Sequence, residues 1–431
     1  MSDGPAPGPR VGRRLRNAVS GWRDPQHRDG LALVLSSGLT SVIGLLYWVV
    51  AARLFPPEIV GVNNTLISTM TLLGVAAQLN LGNALLRFVA VAGHSARRLV
   101  LTCYAVAGTA AAAVGAVFAL GAGWWAPELL HAVGTGPLIA FFALSTPVWT
   151  VFVMQDYVLT AVKRATLVPV ENLVFSLLKI GLLGLGALVA FSTVIAVTWV
   201  VATALIIGWI TVFLLRVLPA GARGGDAPSP VRPRTVARFV SADWTGGLFT
   251  LAVEFGLPLL VLVTLGAEQA ATFGIAWAIA YGLYLISHGM GQSMVAHVAA
   301  DPAGLGAARR SMTTKSLALL LPAVLVIVPG AGLILSVFGA HYVATGTTLL
   351  ALASLSAVPN VVVTETLFAA RVQQRRSVLL GVPAMLALLV IPPALVLMPS
   401  LGLTGVGMAL VVGQSLVAAG ILLHRWVSRR G

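Results

Sequence analysis

Charge is what this sequence has least of. Only 9% of its 431 residues are Asp, Glu, Lys or Arg, and the acidic residues number 13. Soluble domains carry about 25% charged residues, so this chain cannot clothe a water-facing surface. Cysteine is nearly missing too: Cys103 stands alone in an apolar run, which excludes an intrachain disulfide and a multi-thiolate metal site. No Walker lysine loop, His-Glu-x-x-His, Cys-x-x-Cys or Gly-x-Ser-x-Gly is present. Those absences leave no ATP-hydrolysing loop, zinc-protease motif or serine-nucleophile elbow, so no catalytic residue and no cofactor is expected and the chain reads as not an enzyme.

What is present is hydrocarbon. Apolar residues make up 58% of the chain, in runs long enough for the roughly 20 residues that cross a hydrocarbon core about 30 Å thick. Backbone amides find no water there, so the runs must be helical. Reading from charge, Gly and Pro boundaries gives twelve spans, at 30–54, 63–92, 99–122, 137–161, 168–190, 193–215, 239–264, 270–296, 316–338, 343–370, 377–397 and 402–424.

Basic residues test that count. Loops after the even-numbered spans and both tails hold 24 of the 27 Lys and Arg residues, and the alternate loops hold none. The positive-inside rule then places both ends in the cytoplasm of a multi-pass inner-membrane protein. The same alternation accounts for the net charge of +14 without nucleic acid. Residues 1–29 carry six arginines and no small-residue cleavage site, so a retained basic tail is expected. Val11, Leu15, Ala18 and Trp22 recur there at helical spacing; a helix lying on membrane lipids and an unstructured tail are both consistent with it. The longest loop on the opposite side, about Gly123 to Gly136, is too short for a domain.

A Pro-, Gly- and Arg-rich stretch at 219–236 divides the chain into segments 30–218 and 237–424, with 425–431 as a second tail. Landmarks repeat across the divide. Glu58 and Glu268, Asn83 and Ser293, and Arg87 and His297 are each separated by 210 residues, and Asp156 and Glu365 by 209. Two six-span halves that enter the membrane the same way would be related by an axis along the membrane normal, with the substrate path between them.

The first-span stretch ending Ala-Arg-Leu-Phe-Pro-Pro-Glu at Glu58, followed by Gly61, and the second-span Leu-Asn-Leu-Gly-Asn-Ala-Leu-Leu-Arg-Phe-Val-Ala at 79–90, resemble the polysaccharide transporter family of lipid-linked oligosaccharide flippases. That family belongs to the superfamily that also holds multidrug and toxin extruders. The resemblance implies an all-α fold of two six-helix bundles around a cavity that opens alternately to each side. It implies cationic residues meeting a lipid-pyrophosphate headgroup, with Arg87 and Arg53 at positions where such proteins carry arginine.

Ionisable residues inside a span cost about 2.5–3.5 kcal/mol on insertion scales and turn toward a cavity or a partner. Lys179 in the fifth span and Glu254 in the seventh are the deepest, and are expected to face the interior, as an ion pair or in separate roles toward substrate and proton. Asn80, Asn83 and Arg87 at i, i+3 and i+7 share one helical face. Ser293 and His297 repeat its lower part, beside His288 and Gln292. These residues would bind phosphate oxygens; interhelical hydrogen bonds, or snorkelling of Arg87, explain them equally simply. Asp156, Glu365, Glu171 and Asp243 lie near basic loop residues such as Lys163, Arg164, Arg371 and Arg238, where coupling to transport and interfacial pairing both remain open. Arg53 anchors to headgroups or binds substrate. Pro147, Pro258 and Pro359 are candidate hinges.

The function this predicts is a flippase for a lipid-linked oligosaccharide, with surrounding lipids and a proton or sodium ion as partners. A proton- or sodium-coupled multidrug extruder would favour acidic cavity residues instead, and a membrane glycan polymerase or ligase would need a sizeable outer loop.

Overall fold

The computed structural model describes residues 43–79, 81–89, 92–164, 167–189, 191–218, 233–300 and 304–428. The side chains of Arg87, His94, 233–243, Ala296, His297, Ala299 and Ala300 lie outside that description.

Among the described residues the chain is helical throughout. The first half holds α1 (Ile43–Leu54), α2 (Pro57–Ala77), α3 (Leu81–Phe88), α4 (Ala96–Leu120), α5 (Ala122–Trp125), α6 (Pro127–Val133), α7 (Thr135–Ala161), α8 (Leu167–Gly186) and α9 (Val194–Val217). The second holds α10 (Pro233–Leu265), α11 (Ala267–Ala300), α12 (Leu305–Ser336), α13 (Ala340–Val372), α14 (Arg376–Leu401) and α15 (Leu403–Val427). Eleven of these helices are long and apolar enough to cross a membrane, and α1 is a shorter apolar helix at the end of the expected first span. The chain is a multi-pass membrane protein of two six-span bundles.

The duplication is visible in the helix starts. Helices α2, α4, α8 and α9 begin at 57, 96, 167 and 194, and α11, α12, α14 and α15 begin at 267, 305, 376 and 403, always 209 or 210 residues later. Packing repeats as well: α4 lies on α7 as α12 lies on α13, and α8 on α9 as α14 on α15.

The bundles meet where α2 crosses α11. A Cβ on Gly61 would stand 1.8 Å from the Ala267 carbonyl oxygen and 2.9 Å from the Ala271 amide nitrogen, and one on Gly274 would stand 2.4 Å from the Asn64 side chain. Gly61 and Ala271, like Asn64 and Gly274, are 210 residues apart. Equivalent residues therefore touch one another, as they must where an axis relating two copies passes through an interface. Small residues at such a crossing let backbones approach where no hydrophobic effect drives association.

One expectation is corrected here. The second span is not one helix: α2 ends at Ala77, Leu79 adopts φ 51, and α3 starts at Leu81. The face expected to carry Asn80, Asn83 and Arg87 is interrupted for that reason. The indole Nε1 of Trp244, from the other bundle, donates to the Ala76 carbonyl at the break over 3.0 Å, as a backbone acceptor in a membrane requires. The loop expected at 123–136 is largely filled by the short helices α5 and α6.

Candidate functional site

Pro258 organises the centre of the second bundle. Lacking an amide hydrogen, it leaves the carbonyl of Glu254, four residues earlier in α10, without its helical donor. The Trp277 indole of α11 takes that place over 2.9 Å. One turn along α11, the Tyr281 hydroxyl donates to Glu254 Oε2 at 3.2 Å. The proline bend and two aromatic donors thus hold the carboxylate at the wall of a cavity of about 230 Å³.

That cavity has polar groups at several depths. Tyr284 shares a 2.6 Å hydrogen bond with Ser356, Thr364 donates to Asn360 Oδ1 at 2.9 Å, and Asn360 reaches Gln414 at 3.4 Å. Toward the end of the molecule that holds the basic loops, His288 of α11 and Arg371 of α13 join the lining. Both rest on Phe368: the imidazole is edge-on at 5.8 Å and the guanidinium carbon lies 5.0 Å from the ring centroid. Gly291 makes room for that ring, since a Cβ there would stand 2.2 Å from Phe368 Cδ2. Val75 of α2 brings the first bundle to the wall, so the cavity lies at the seam.

Lys179 is elsewhere. It is 4% exposed inside the first bundle, with its ammonium 3.9 Å from the Trp199 ring centroid, 4.8 Å from Tyr47 and 4.9 Å from Phe175. Ring faces replace water around the charge. Among the described residues it makes no ion pair, so the expected alternative of a Lys179–Glu254 bridge is not what the structure holds. Each group belongs to its own bundle.

The other carboxylates also depart from expectation. Glu365 does pair, but with Arg309 and with Arg425, whose Nη2 stands 2.5 Å from Oε2, rather than with Arg371. Asp156 and Glu171 form no pair with Lys163 or Arg164. Glu171 is wholly buried with both oxygens lacking a hydrogen-bond partner among the described residues, as is Oδ1 of Asp156. These two carboxylates and the Tyr104 hydroxyl lie within range of one another's charge. The helix ends turn Lys163 and Arg164 outward into the loop, where both are exposed.

Arg53 neither faces the cavity nor reaches into solvent alone. At the end of the molecule opposite the basic loops, its Nε and Nη2 donate to the carbonyls of Val337 and Ser336, at 2.9 and 3.1 Å, across the two bundles. These are terminal carbonyls of α12, where a helix dipole favours a cation. Nearby, His341 Nδ1 stands 3.2 Å from Glu268 Oε1. Asn83 lies half-buried on α3. Asn80 falls outside the described residues, and so do the side chains of Arg87, His297 and Asp243, whose backbones lie in α3, α11 and α10.

Of the residues around this cavity, Glu254 and His288 were candidates from the sequence, whereas Arg371, Asn360, Gln414 and the aromatic donors were not. Arg371 reads in the sequence as a loop residue, because the tenth span is expected to end before it. The spacing of Glu254 to Pro258 was the available signal, since it frees a carbonyl beside a buried acid.

Two pseudo-symmetric bundles with a polar cavity at their seam thus make up this membrane protein. Solved structures share this fold. An inward-facing multidrug resistance MATE family transporter of the MOP superfamily superposes with a TM-score of 0.66 at 16% identity, covering 90% of this chain and 94% of that one. The lipid II flippase MurJ, in an inward closed conformation, gives 0.69 at 10% identity over 91% and 87%. The MATE multidrug transporter DinF-BH gives 0.62 at 16% over 94% and 96%. No protein-family model matches the chain, and no curated protein matches it in sequence.

Proposed function

We propose that the chain is a flippase that moves a lipid-pyrophosphate-linked oligosaccharide from the cytoplasmic to the outer leaflet, within the multidrug and polysaccharide exporter superfamily. The basic-loop end is the cytoplasmic one. The observation that carries this reading is the placement of Arg371 and His288 at that end of the seam cavity. An anionic headgroup entering from the cytoplasm meets a guanidinium first, and a guanidinium binds phosphate oxygens bidentately. Arg87 and His297, whose side chains lie outside the described residues, join this set as proposals from the sequence alone. The polar interior of Asn360, Thr364 and Gln414 then offers hydrogen bonds to sugar hydroxyls that lipid would refuse. Glu254 is the group through which a proton or sodium gradient acts, and the Arg53 clamp closes the outer end while the inner mouth is loaded.

A second reading has its own support. Glu254 framed by Trp277, Tyr281 and Tyr284 suits an organic cation, as in a multidrug extruder. Proteoliposomes carrying a fluorescent lipid-pyrophosphate saccharide separate the two. Arg371→Gln should lower translocation at least about tenfold, the loss of a charge-assisted hydrogen bond. Full translocation by Arg371→Gln, together with organic-cation efflux that Glu254→Gln abolishes, would establish the extruder instead.

A further inference from the structure

On the far side of α13 and α14 from the seam cavity lies a second and larger one, of about 610 Å³. Phe368 and Leu386 look into the seam, whereas Ala369 and Met385 line this groove. Val378, Val382, Met385 and Leu389 recur at helical spacing along one face of α14, opposite Leu416, Val417 and Ile421 of α15.

Three features define what fits. First, the rim at the basic end is cationic: Arg309, Arg375 and Arg425 bring three positive charges, Glu365 returns one, and His424 stands beside them. Second, the apolar wall has the depth of one leaflet. Arg375 to Leu389 is about 21 Å of helix at 1.5 Å per residue, against about 15 Å for half a hydrocarbon core. Third, the groove opens sideways, because Gly381, Met385, Leu416 and Gly420 are all exposed on the bundle's outer face. Cβ positions built on Gly381 and Gly420 meet nothing within 4 Å. An occupant therefore arrives from the bilayer, with a negative headgroup level with the arginines and a chain reaching the midplane.

We infer that this groove is a binding site for an anionic phospholipid of the cytoplasmic leaflet, its phosphate held by Arg375 and Arg425 and one acyl chain laid between α14 and α15. The basic tail at 1–29 carries the wrong sign to occupy it. Cationic pockets between helices at the cytoplasmic surface are a recurrent means of holding such headgroups. The inference does not depend on which cargo passes through the seam.

Native mass spectrometry of the full-length protein, released from micelles containing phosphatidylglycerol and phosphatidylcholine of identical chains, tests it. Phosphatidylglycerol should be retained in preference. Arg375→Gln, which removes a charge bound in no ion pair among the described residues, should weaken retention about fivefold. Gly420→Leu, which fills open space without a clash, should abolish it, and Gly208→Leu, at a similarly open position in α9, should leave it unchanged. Equal retention of the two lipids, or an unaltered adduct in Gly420→Leu, overturns the proposal. So does displacement by excess glycerol 3-phosphate, which would show a headgroup site without a chain. Retention of a polyprenyl diphosphate but not of phosphatidylglycerol overturns it as well, and assigns the groove to the cargo.

Discussion

The two bundles share a plan and differ in how they treat their buried charges. In the second, Glu365 is clamped by Arg309 and Arg425 at the basic end. The equivalent positions of Glu365 and Arg425 in the first bundle are Asp156 and Arg216, both at an offset of 209, while the Arg97–Arg98 pair stands three residues out of register with Arg309–Arg310. There the carboxylate and the arginines make no ion pair among the described residues, and Asp156 is left within range of the Glu171 charge instead. Deeper in the membrane the signs are reversed: the first bundle holds Lys179 among rings, and the second holds Glu254 under two aromatic donors. Duplication preserved the helices and redistributed the charge. The second bundle spends its carboxylate at the basic end on rigidity, because a doubly paired Glu365 ties α12, α13 and α15 together. The first bundle leaves its two, Asp156 and Glu171, without an ion pair among the described residues.

The sharpest way to break this comparison is to remove each carboxylate. Glu365→Ala leaves two arginines without their counter-charge, which at a site with a 2% exposed partner should cost about 3 kcal/mol of stability. Asp156→Asn removes no pair and should leave the thermal midpoint in detergent unchanged. Equal losses in the two variants would show that Asp156 is held as firmly as Glu365, and the asymmetry would be lost.

The seam offers a smaller effect. Gly61→Ala drives a methyl group into the backbone of α11, and overpacking of this kind should cost about 1–3 kcal/mol. Gly181→Ala, in α8 with nothing within 4 Å of the built Cβ, should instead gain up to about 1 kcal/mol in helix propensity. Thermal melts of both variants decide it. A harmless Gly61→Ala would mean that α2 and α11 do not cross as closely as the pseudo-axis requires.

These contrasts show where the sequence was readable. Span number, alternation of sides and the 210-residue repeat are written in composition and in the spacing of Arg, because lipid imposes them on every residue that faces it. Glu254 and Lys179 were recognisable as inward-facing because charge in hydrocarbon has nowhere else to go. Their partners were not recognisable, since Trp277, Tyr281, Trp199 and Tyr47 look like any aromatic in an apolar run. The break at Leu79 was hidden for a similar reason: a non-Gly residue with φ 51 has no local signature, and the Ala76 carbonyl, which the Leu79 amide reaches only at 3.4 Å, takes a second donor from Trp244, 168 residues away. For Glu365 the sequence left interfacial pairing and transport coupling both open; its partners, Arg309 and Arg425, come from two other helices that only the tertiary fold brings together.

The smallest expected effect concerns the outer seam, where the halves differ in a third way. Arg53 clamps the end of α12, whereas the residue at its equivalent position in the second half is Val263. The contact across the bundles is therefore made from one side of the pseudo-axis, and if it acts as the proposed outer clamp, Arg53 is its side chain. Arg53 is exposed, and its bonds compete with water, so Arg53→Gln should weaken closure by about 1 kcal/mol. That corresponds to roughly a fivefold change in the ratio of closed to open forms. Spin labels at Leu54 and Leu333, both outward-facing at that end and one in each half, report it as a distance distribution. A longer-distance population should grow in Arg53→Gln and should not grow in Val263→Gln, which tests the equivalent position. An unchanged distribution in Arg53→Gln would mean that the α2–α11 crossing alone keeps the outer end shut, and the two halves would then be equal partners in the gate.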